Sequence, residues 1–193
     1  MISTIIFDIG GVLVQTHDLA PRRKWEQRLG LPDWGLSDLV FNNDVSRAAF
    51  IGASDALAVW ALIGAQFGLS ASERAEIAAD FWAGDGLNAE WIAAIPSLKP
   101  RYKLGILSNG WRDMRERDKS RFDMSVFDAV VYSCEEGMRK PTLEIYQRAL
   151  RRLGVSDPAT ALFIDDFAEN VAAAREAGLQ AVQYVKGMAL PGL

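Results

Sequence analysis

Short apolar runs, each followed by a polar residue, predict five buried strands in this chain. The predicted strands are Thr4–Phe7, Leu104–Leu107, Ala129–Tyr132, Ala161–Ile164 and Gln180–Val185. Between the later runs, helices are predicted at Trp111–Ser120, Thr142–Leu153 and Ala168–Ala177. Because strands and helices alternate in this part of the chain, the pattern predicts a parallel sheet covered by helices.

The segment from about Asp18 to Pro100 has a different pattern, with helical spacing throughout and no run typical of a strand. Ser54 and Ser70 are expected to cap two of the helices, and Glu73 gives the second a capping-box spacing. The predicted helices are Ala20–Leu29, Leu36–Phe41, Asp55–Phe67, Ala71–Phe81 and Ala89–Ile95.

Together these patterns predict an α/β fold, with a Rossmann-like parallel sheet core and an inserted all-α cap. We expect the core to contain residues 1–15 and 97–193 and the cap to contain residues 16–96. The cap begins just after the first strand and ends just before the second, so we expect it above the carboxyl ends of the strands, where it can exclude water. Five tryptophans of this block are expected mainly to pack between helices: Trp25, Trp34, Trp60, Trp82 and Trp91.

Composition says more about the partners and the compartment of the protein than about its reaction. The 193 residues are 50% hydrophobic and carry a formal net charge of −4. The basic residues are scattered, and their densest stretches lie on predicted helices, so we expect no nucleic-acid partner. Cys134 is the only cysteine, which excludes an internal disulfide. No signal-peptide pattern and no apolar stretch of about 20 residues is present. We therefore expect a cytoplasmic protein without a membrane partner, either a monomer or a homodimer.

Polar side chains follow the predicted strands at their carboxyl ends. Asp8 ends the first strand and precedes two glycines, and Asp165 and Asp166 end the fourth. Ligands of parallel sheets bind at this edge, so we expect these groups to meet in one crevice. Mg²⁺ prefers hard oxygen ligands, which the three carboxylates and a backbone carbonyl would supply.

Two further groups complete the set expected at a magnesium-dependent phosphoryl-transfer site. The Ser108 hydroxyl follows the second strand, and Lys140 lies in a loop after the third. The lysine would hold a phosphoryl group, the hydroxyl would bind its oxygens, and Asp8 would attack phosphorus to form an aspartyl-phosphate. The expected substrate is a small phosphorylated molecule.

Four segments, FDIGGVLV, ILSNG, GMRKP and FIDDFAENVAAAREAG, resemble in order the four motifs of the haloacid dehalogenase-like hydrolases. The combination is most similar to the branch that includes bacterial sugar-1-phosphate phosphatases and the phosphatase domain of soluble epoxide hydrolase. The resemblance implies a magnesium-dependent phosphatase of a small metabolite, such as a sugar phosphate.

By position, the resemblance implies that Asp8 is both nucleophile and metal ligand, and that the Gly10 carbonyl is a further ligand. Asp166 would bind the metal directly, whereas Asp165 would bind it through water or orient Lys140. Ser108 and Asn109 would bind the phosphoryl group, and Asn170 would face the site from the first turn of its helix.

One position departs from the family pattern. Many phosphatases of the family have a second aspartate two residues after the nucleophile, where this chain has Gly10. That residue acts as general acid and base, a role worth about 10²–10⁴-fold in rate. His17, or a cap carboxylate such as Asp18 or Asp44, is a candidate to replace it.

Two other functions stay open at this point. A dehalogenase shares the aspartate nucleophile but needs no metal, so the Asp165-Asp166 pair counts against it, as does the absence of an aromatic residue at Gly10. A non-catalytic member that binds a phosphometabolite or a protein is supported only by Gly10.

Overall fold

The computed structural model describes residues 1–190, and five of its strands form one parallel sheet. In spatial order the strands are β5, β4, β1, β6 and β7, so β1 lies at the centre. Their bounds are β1 Thr4–Phe7, β4 Lys103–Ser108, β5 Ala129–Tyr132, β6 Ala161–Asp165 and β7 Gln180–Gln183. The predicted strands are confirmed, and the last ends at Gln183 rather than Val185. Residues 191–193 of the predicted core lie outside the described part of the chain.

Helices cover both faces of this sheet. Alternate residues of a strand point to opposite faces, and along β1 Ile5 and Phe7 pack into one cluster while Ile6 packs into the other. The Ile6 side is covered by α9 (Leu143–Arg152) and α10 (Ala168–Glu176). The Phe7 side is covered by α6 (Ala89–Leu98). Two further helices follow strand ends, α7 (Arg112–Arg121) after β4 and the short α8 (Ser133–Glu136) after β5.

A second core lies within five helices that follow β1 along the chain, here called the helical cap. They are α1 Ala20–Leu29, α2 Gly35–Phe41, α3 Asp44–Phe50, α4 Ala56–Phe67 and α5 Ala71–Ala83. The sequence pattern missed α3, a seven-residue helix that the Asn43 side chain caps by accepting from the Ser46 N–H at 2.8 Å.

The capping predictions had different outcomes. Ser70 caps α5, and Glu73 completes the capping box. The prediction for Ser54 is wrong, because the carboxylate of the next residue, Asp55, accepts from the Ala58 N–H at 2.9 Å and caps α4 instead. An aspartate is as good a cap as a serine, and here it is the residue with extended backbone before the helix.

A two-stranded antiparallel ribbon joins the cap to the sheet domain and corrects the prediction of a strand-free block. It pairs β2 (Val14–Thr16) with β3 (Asp85–Leu87). Three-residue strands give no periodic pattern, so neither was predicted. A buried ion pair ties the ribbon to the cap, since Arg22 Nη2 of α1 lies 2.8 Å from Asp85 Oδ1, which also accepts from the Thr16 hydroxyl.

The packing of α6 also differs from expectation. Trp91 and Ile95 are buried against the sheet, so Trp91 is one of the five tryptophans that does not pack between the cap helices. The proposed boundaries at residues 15 and 96 stay a prediction, while α6 packs as a sheet-covering helix.

The cap lies against the loops at the carboxyl ends of the strands, as predicted. The Trp111 ring, just after β4, lies 5.9 Å from the Phe41 ring and 5.8 Å from the Phe50 ring. Gly52 lies directly against the Cys134 carbonyl of α8. Within residues 1–190, no single helix is long and apolar enough to cross a membrane. The pair α4 and α5 meets both criteria together, but the two helices are bent by 119°.

Candidate active site

Asp8 extends the central strand into the turn that follows it. Its N–H donates to the Ile164 carbonyl of β6 at 2.9 Å, and its Oδ1 accepts from the Ile9 N–H at 2.7 Å. Gly11 then turns the chain with a φ of 75°. A Cβ at Gly11 would lie 2.0 Å from Asp166 Oδ2, so only glycine lets this turn approach the acid loop after β6.

Lys140 is the cation of the site. It is 1% exposed, and its Nζ lies 2.9 Å from Asp8 Oδ1 and 2.6 Å from Asp165 Oδ2. Its backbone is held from the neighbouring strand end, because Asn109 Nδ2 donates to the Lys140 carbonyl at 3.0 Å and Asn109 Oδ1 accepts from the Lys140 N–H at 2.9 Å. Both polar atoms of Asn109 thus fix the loop that presents the amine, and its predicted contact with a phosphoryl group stays a prediction.

The two adjacent acids after β6 have different surroundings. Asp165 is fully buried, and its oxygens accept from Lys140 Nζ, from the Phe167 N–H at 2.8 Å and from Asn170 Nδ2 at 3.0 and 3.1 Å. Asp166 Oδ1 is buried and has no hydrogen-bond partner among the described residues. Asp165 therefore contacts both Lys140 and Asn170, while Asp166 Oδ1 has no partner in the described part of the chain.

The carboxylates of Asp8, Asp165 and Asp166 form a candidate metal centre. One oxygen from each lies within 4.8 Å of the others. Hard oxygen donors of this type suit Mg²⁺, and the unpartnered oxygen of Asp166 is the kind of buried atom that a cation would satisfy. The residues present therefore fit the metal that the sequence predicts.

The pKa shifts show a site with surplus negative charge. Burial raises the pKa of Asp8 well above its usual range; the Lys140 ammonium opposes this shift, and repulsion from Asp165 and Asp166 adds to it. Burial and the charge of Asp165 also raise the pKa of Asp166, to about 6. For Lys140, burial alone would lower the pKa, but attraction to Asp8 and Asp165 outweighs it and raises the pKa. One ammonium thus stands against three carboxylates.

A second serine supports the loop after β4. Ser108 itself is buried at the end of that strand, as predicted. The hydroxyl of Ser133, just after β5, accepts from the Gly110 N–H at 3.1 Å and so fixes the loop that follows Ser108. Sequence reasoning missed Ser133, although its position directly after a strand of the same sheet was a usable signal.

The three candidates to replace the acid missing at Gly10 are each bonded to other groups or exposed. His17 Nε2 lies 3.3 Å from the Leu87 carbonyl of the ribbon. Asp18 accepts from the Ala20 N–H at the start of α1. The Asp44 side chain is 97% exposed and pairs with Arg47. Among the described residues other than 9–11, no atom lies within 4 Å of the position that a Cβ would take at Gly10.

The family model for haloacid dehalogenase-like hydrolases matches residues 2–178. The chain belongs to this family. Among curated relatives, the haloacid dehalogenase-like chain is 28% identical over 189 residues to the sesquiterpene phosphatase astK of Aspergillus oryzae, covering 95% of this chain and 90% of that protein. It is 34% identical over 86 residues to the glyceraldehyde 3-phosphate phosphatase of Methanothermobacter thermautotrophicus, covering 42% of this chain and 36% of the relative.

The fold of this family member also matches solved structures. A HAD family enzyme of Bacteroides thetaiotaomicron, crystallised with magnesium and inorganic phosphate, superimposes with a TM-score of 0.81 at 20% identity, covering 99% of this chain and 98% of that one. At this identity the likeness shows the shared fold. Together with the family match it establishes a haloacid dehalogenase-like hydrolase with a helical cap.

Proposed function

We propose that this hydrolase is a magnesium-dependent phosphatase of a small phosphorylated metabolite, such as a sugar phosphate, acting through an aspartyl-phosphate on Asp8. The observation that carries the proposal is the convergence of Asp8, Lys140 and the acid pair at one edge of the sheet. The phosphatase names of two relatives support the reaction class.

Asp8 is placed to act as the nucleophile. Its recorded partners, the Ile9 N–H and the Lys140 ammonium, both contact Oδ1, which leaves Oδ2 without a hydrogen bond in the described part of the chain. We assign Oδ2 as the attacking oxygen. The bond from this oxygen to phosphorus forms while the bond from phosphorus to the leaving oxygen breaks. Water then attacks phosphorus, releasing inorganic phosphate and regenerating the carboxylate.

The surrounding residues hold the charge of the phosphoryl group. A bound Mg²⁺ would supply positive charge that offsets the repulsion between a phosphate dianion and the acids, and Asp8, Asp166 and the Gly10 carbonyl would hold it. Lys140 is buried beside Asp8, so its ammonium would attract the transferring group without being screened by water. The Ser108 hydroxyl would bind a phosphoryl oxygen.

Phosphate release tests this proposal directly. The substrates are a panel of small phosphomonoesters and acyl phosphates, assayed with Mg²⁺ and with chelator. The variant is Asp8→Asn, and the matched control is Asp33→Asn, whose side chain is 82% exposed on the cap. Metal-dependent release that Asp8→Asn abolishes and Asp33→Asn retains supports the proposal. A phosphorylated peptide containing Asp8 after acid quenching would identify the intermediate.

One observation favours a second candidate, a non-catalytic member that binds a phosphometabolite or a protein. Gly10 removes the acid and base that many relatives use, and apart from residues 9–11 no described atom lies within 4 Å of the position a Cβ would take there. Magnesium binding without release from any substrate on the panel would favour this candidate over the phosphatase.

A further inference from the structure

The turn after the nucleophile lacks an acid and also lacks a substitute for one. The carboxylate oxygens of an aspartate at position 10 would lie well within 4 Å of its own Cβ, and no described atom outside the turn comes that close to the Cβ position at Gly10. The glycine is also outside the left-handed region of the backbone, unlike Gly11, so the position would accept a side chain. Position 10 therefore has room for a Cβ, yet the chain places no side chain there.

The candidates to replace this acid, and the lysine of the site, have other partners. His17 is bonded to the ribbon, Asp18 caps α1, and Asp44 is exposed beside Arg47. Lys140 directs its ammonium to two carboxylates, at 2.9 and 2.6 Å. The three candidates to replace the acid, and the lysine of the site, are thus all bound to other groups or exposed.

Resting on the proposed phosphatase function, we infer that the substrate carries its phosphate on a weakly basic oxygen: an acyl oxygen, an enol oxygen or the acetal oxygen of a sugar. Such an oxygen departs as an anion and takes its proton from water afterwards. The alkoxide of a simple alcohol is far more basic, and its departure needs the acid that Gly10 does not supply. Simple alkyl phosphates should therefore be poor substrates.

The preference for weakly basic leaving groups should affect kcat/KM and kcat differently, because the reaction has two steps. In the first, the bond from Asp8 to phosphorus forms, and the leaving oxygen departs with the electron pair. In the second, the oxygen of water binds phosphorus, the bond to Asp8 breaks, and the proton of the water passes to solvent. The second step is the same for every substrate. The leaving group therefore controls kcat/KM, whereas kcat approaches a common ceiling for the best leaving groups.

A leaving-group series tests the inference on the intact chain. The substrates are aryl phosphates of graded phenol pKa, acetyl phosphate and a simple alkyl phosphate, all with Mg²⁺. For the unmodified protein we expect kcat/KM to fall steeply as the leaving group becomes more basic. Gly10→Asp should flatten this dependence and raise kcat/KM for the alkyl phosphate by about 10²-fold or more. Gly10→Asn, which has the same shape without the acid, should keep the steep dependence.

The outcomes separate this inference from the proposed function. A flat dependence in the unmodified protein, with the alkyl phosphate turned over as fast as acetyl phosphate, would overturn the leaving-group inference and leave the phosphatase intact. No release from any member of the series would overturn the proposed function and the inference with it. The slope for the unmodified protein needs no variant, so the test stands even if Gly10→Asp folds poorly.

Discussion

Lys140→Met removes the cation that contacts both Asp8 and Asp165 while keeping a side chain of similar length. The ammonium lies between Asp8 and Asp165, and Lys140 is 1% exposed. Without it, at least one buried carboxylate must stay charged without a partner or take up a proton. Among the described residues no other cation forms an ion pair with Asp8 or Asp165, so we expect the metal-free variant to be much less stable than the unmodified protein.

The magnitude follows from the burial of the pair. Removing one partner of a buried ion pair typically costs about 3–5 kcal/mol, because the other charge stays desolvated. In a chain of this size about 1 kcal/mol moves the melting temperature by roughly 2–4 °C. The expected fall in melting temperature is therefore on the order of 6–20 °C. Lys119→Met, which breaks only a surface pair with Glu116, should cost about 1 kcal/mol or less.

Circular dichroism melts in chelator measure this difference. The destabilisation should shrink as the pH falls, since carboxylates whose pKa is raised by burial become protonated and no longer need the ammonium. Adding Asp165→Asn to Lys140→Met should restore part of the lost stability by removing one uncompensated charge. The reasoning is refuted if Lys140→Met has the same melting temperature as Lys119→Met. It is also refuted if the double variant is no more stable than Lys140→Met alone.

Three further predictions concern the metal, the turn and the cap. The pKa of Asp166 is about 6 in the metal-free site, so protons compete with Mg²⁺ for this carboxylate below that pH. The Mg²⁺ affinity measured by calorimetry should therefore fall progressively from pH 7 to pH 5. A constant affinity would contradict the role of Asp166 as a metal ligand. Gly11→Ala should lose Mg²⁺ binding because its Cβ clashes with Asp166, whereas Gly10→Ala should bind normally; equal binding would refute the steric argument. Arg22→Met should leave Asp85 buried without its cation and lower the melting temperature; an unchanged melt would show that the pair contributes nothing.

The sheet and its site could be predicted because their signals are local. Each central strand is a run of buried residues with a polar group at its end, and parallel strands bring those ends together whatever the rest of the chain does. Asp8, Lys140 and Asp165 therefore meet as predicted. The turn at Gly11 was visible as a glycine, but its close approach to Asp166 needed coordinates.

The features that sequence reasoning missed depend on partners far along the chain. The strand at Asp85–Leu87 exists only because residues 14–16 pair with it, and three residues cannot show a period. Trp91 occurs in a helical block, but nothing in helical spacing distinguishes packing on the sheet from packing in the cap. The direction of a side chain is hidden in the same way: Asn109 follows a strand as a phosphate ligand would, yet its amide binds the backbone of Lys140.

Trp111 makes the packing of the cap depend on a residue of the sheet domain. It follows the Ser108 loop of the sheet domain, yet its fully buried ring packs among Phe41, Phe50 and Trp82 of the cap. A cap transplanted from a relative would leave this indole without its aromatic neighbours unless the incoming helices supplied equivalents. The cap is consequently not a freely exchangeable module, and substitutions at its aromatic positions should be accepted only together with changes at position 111.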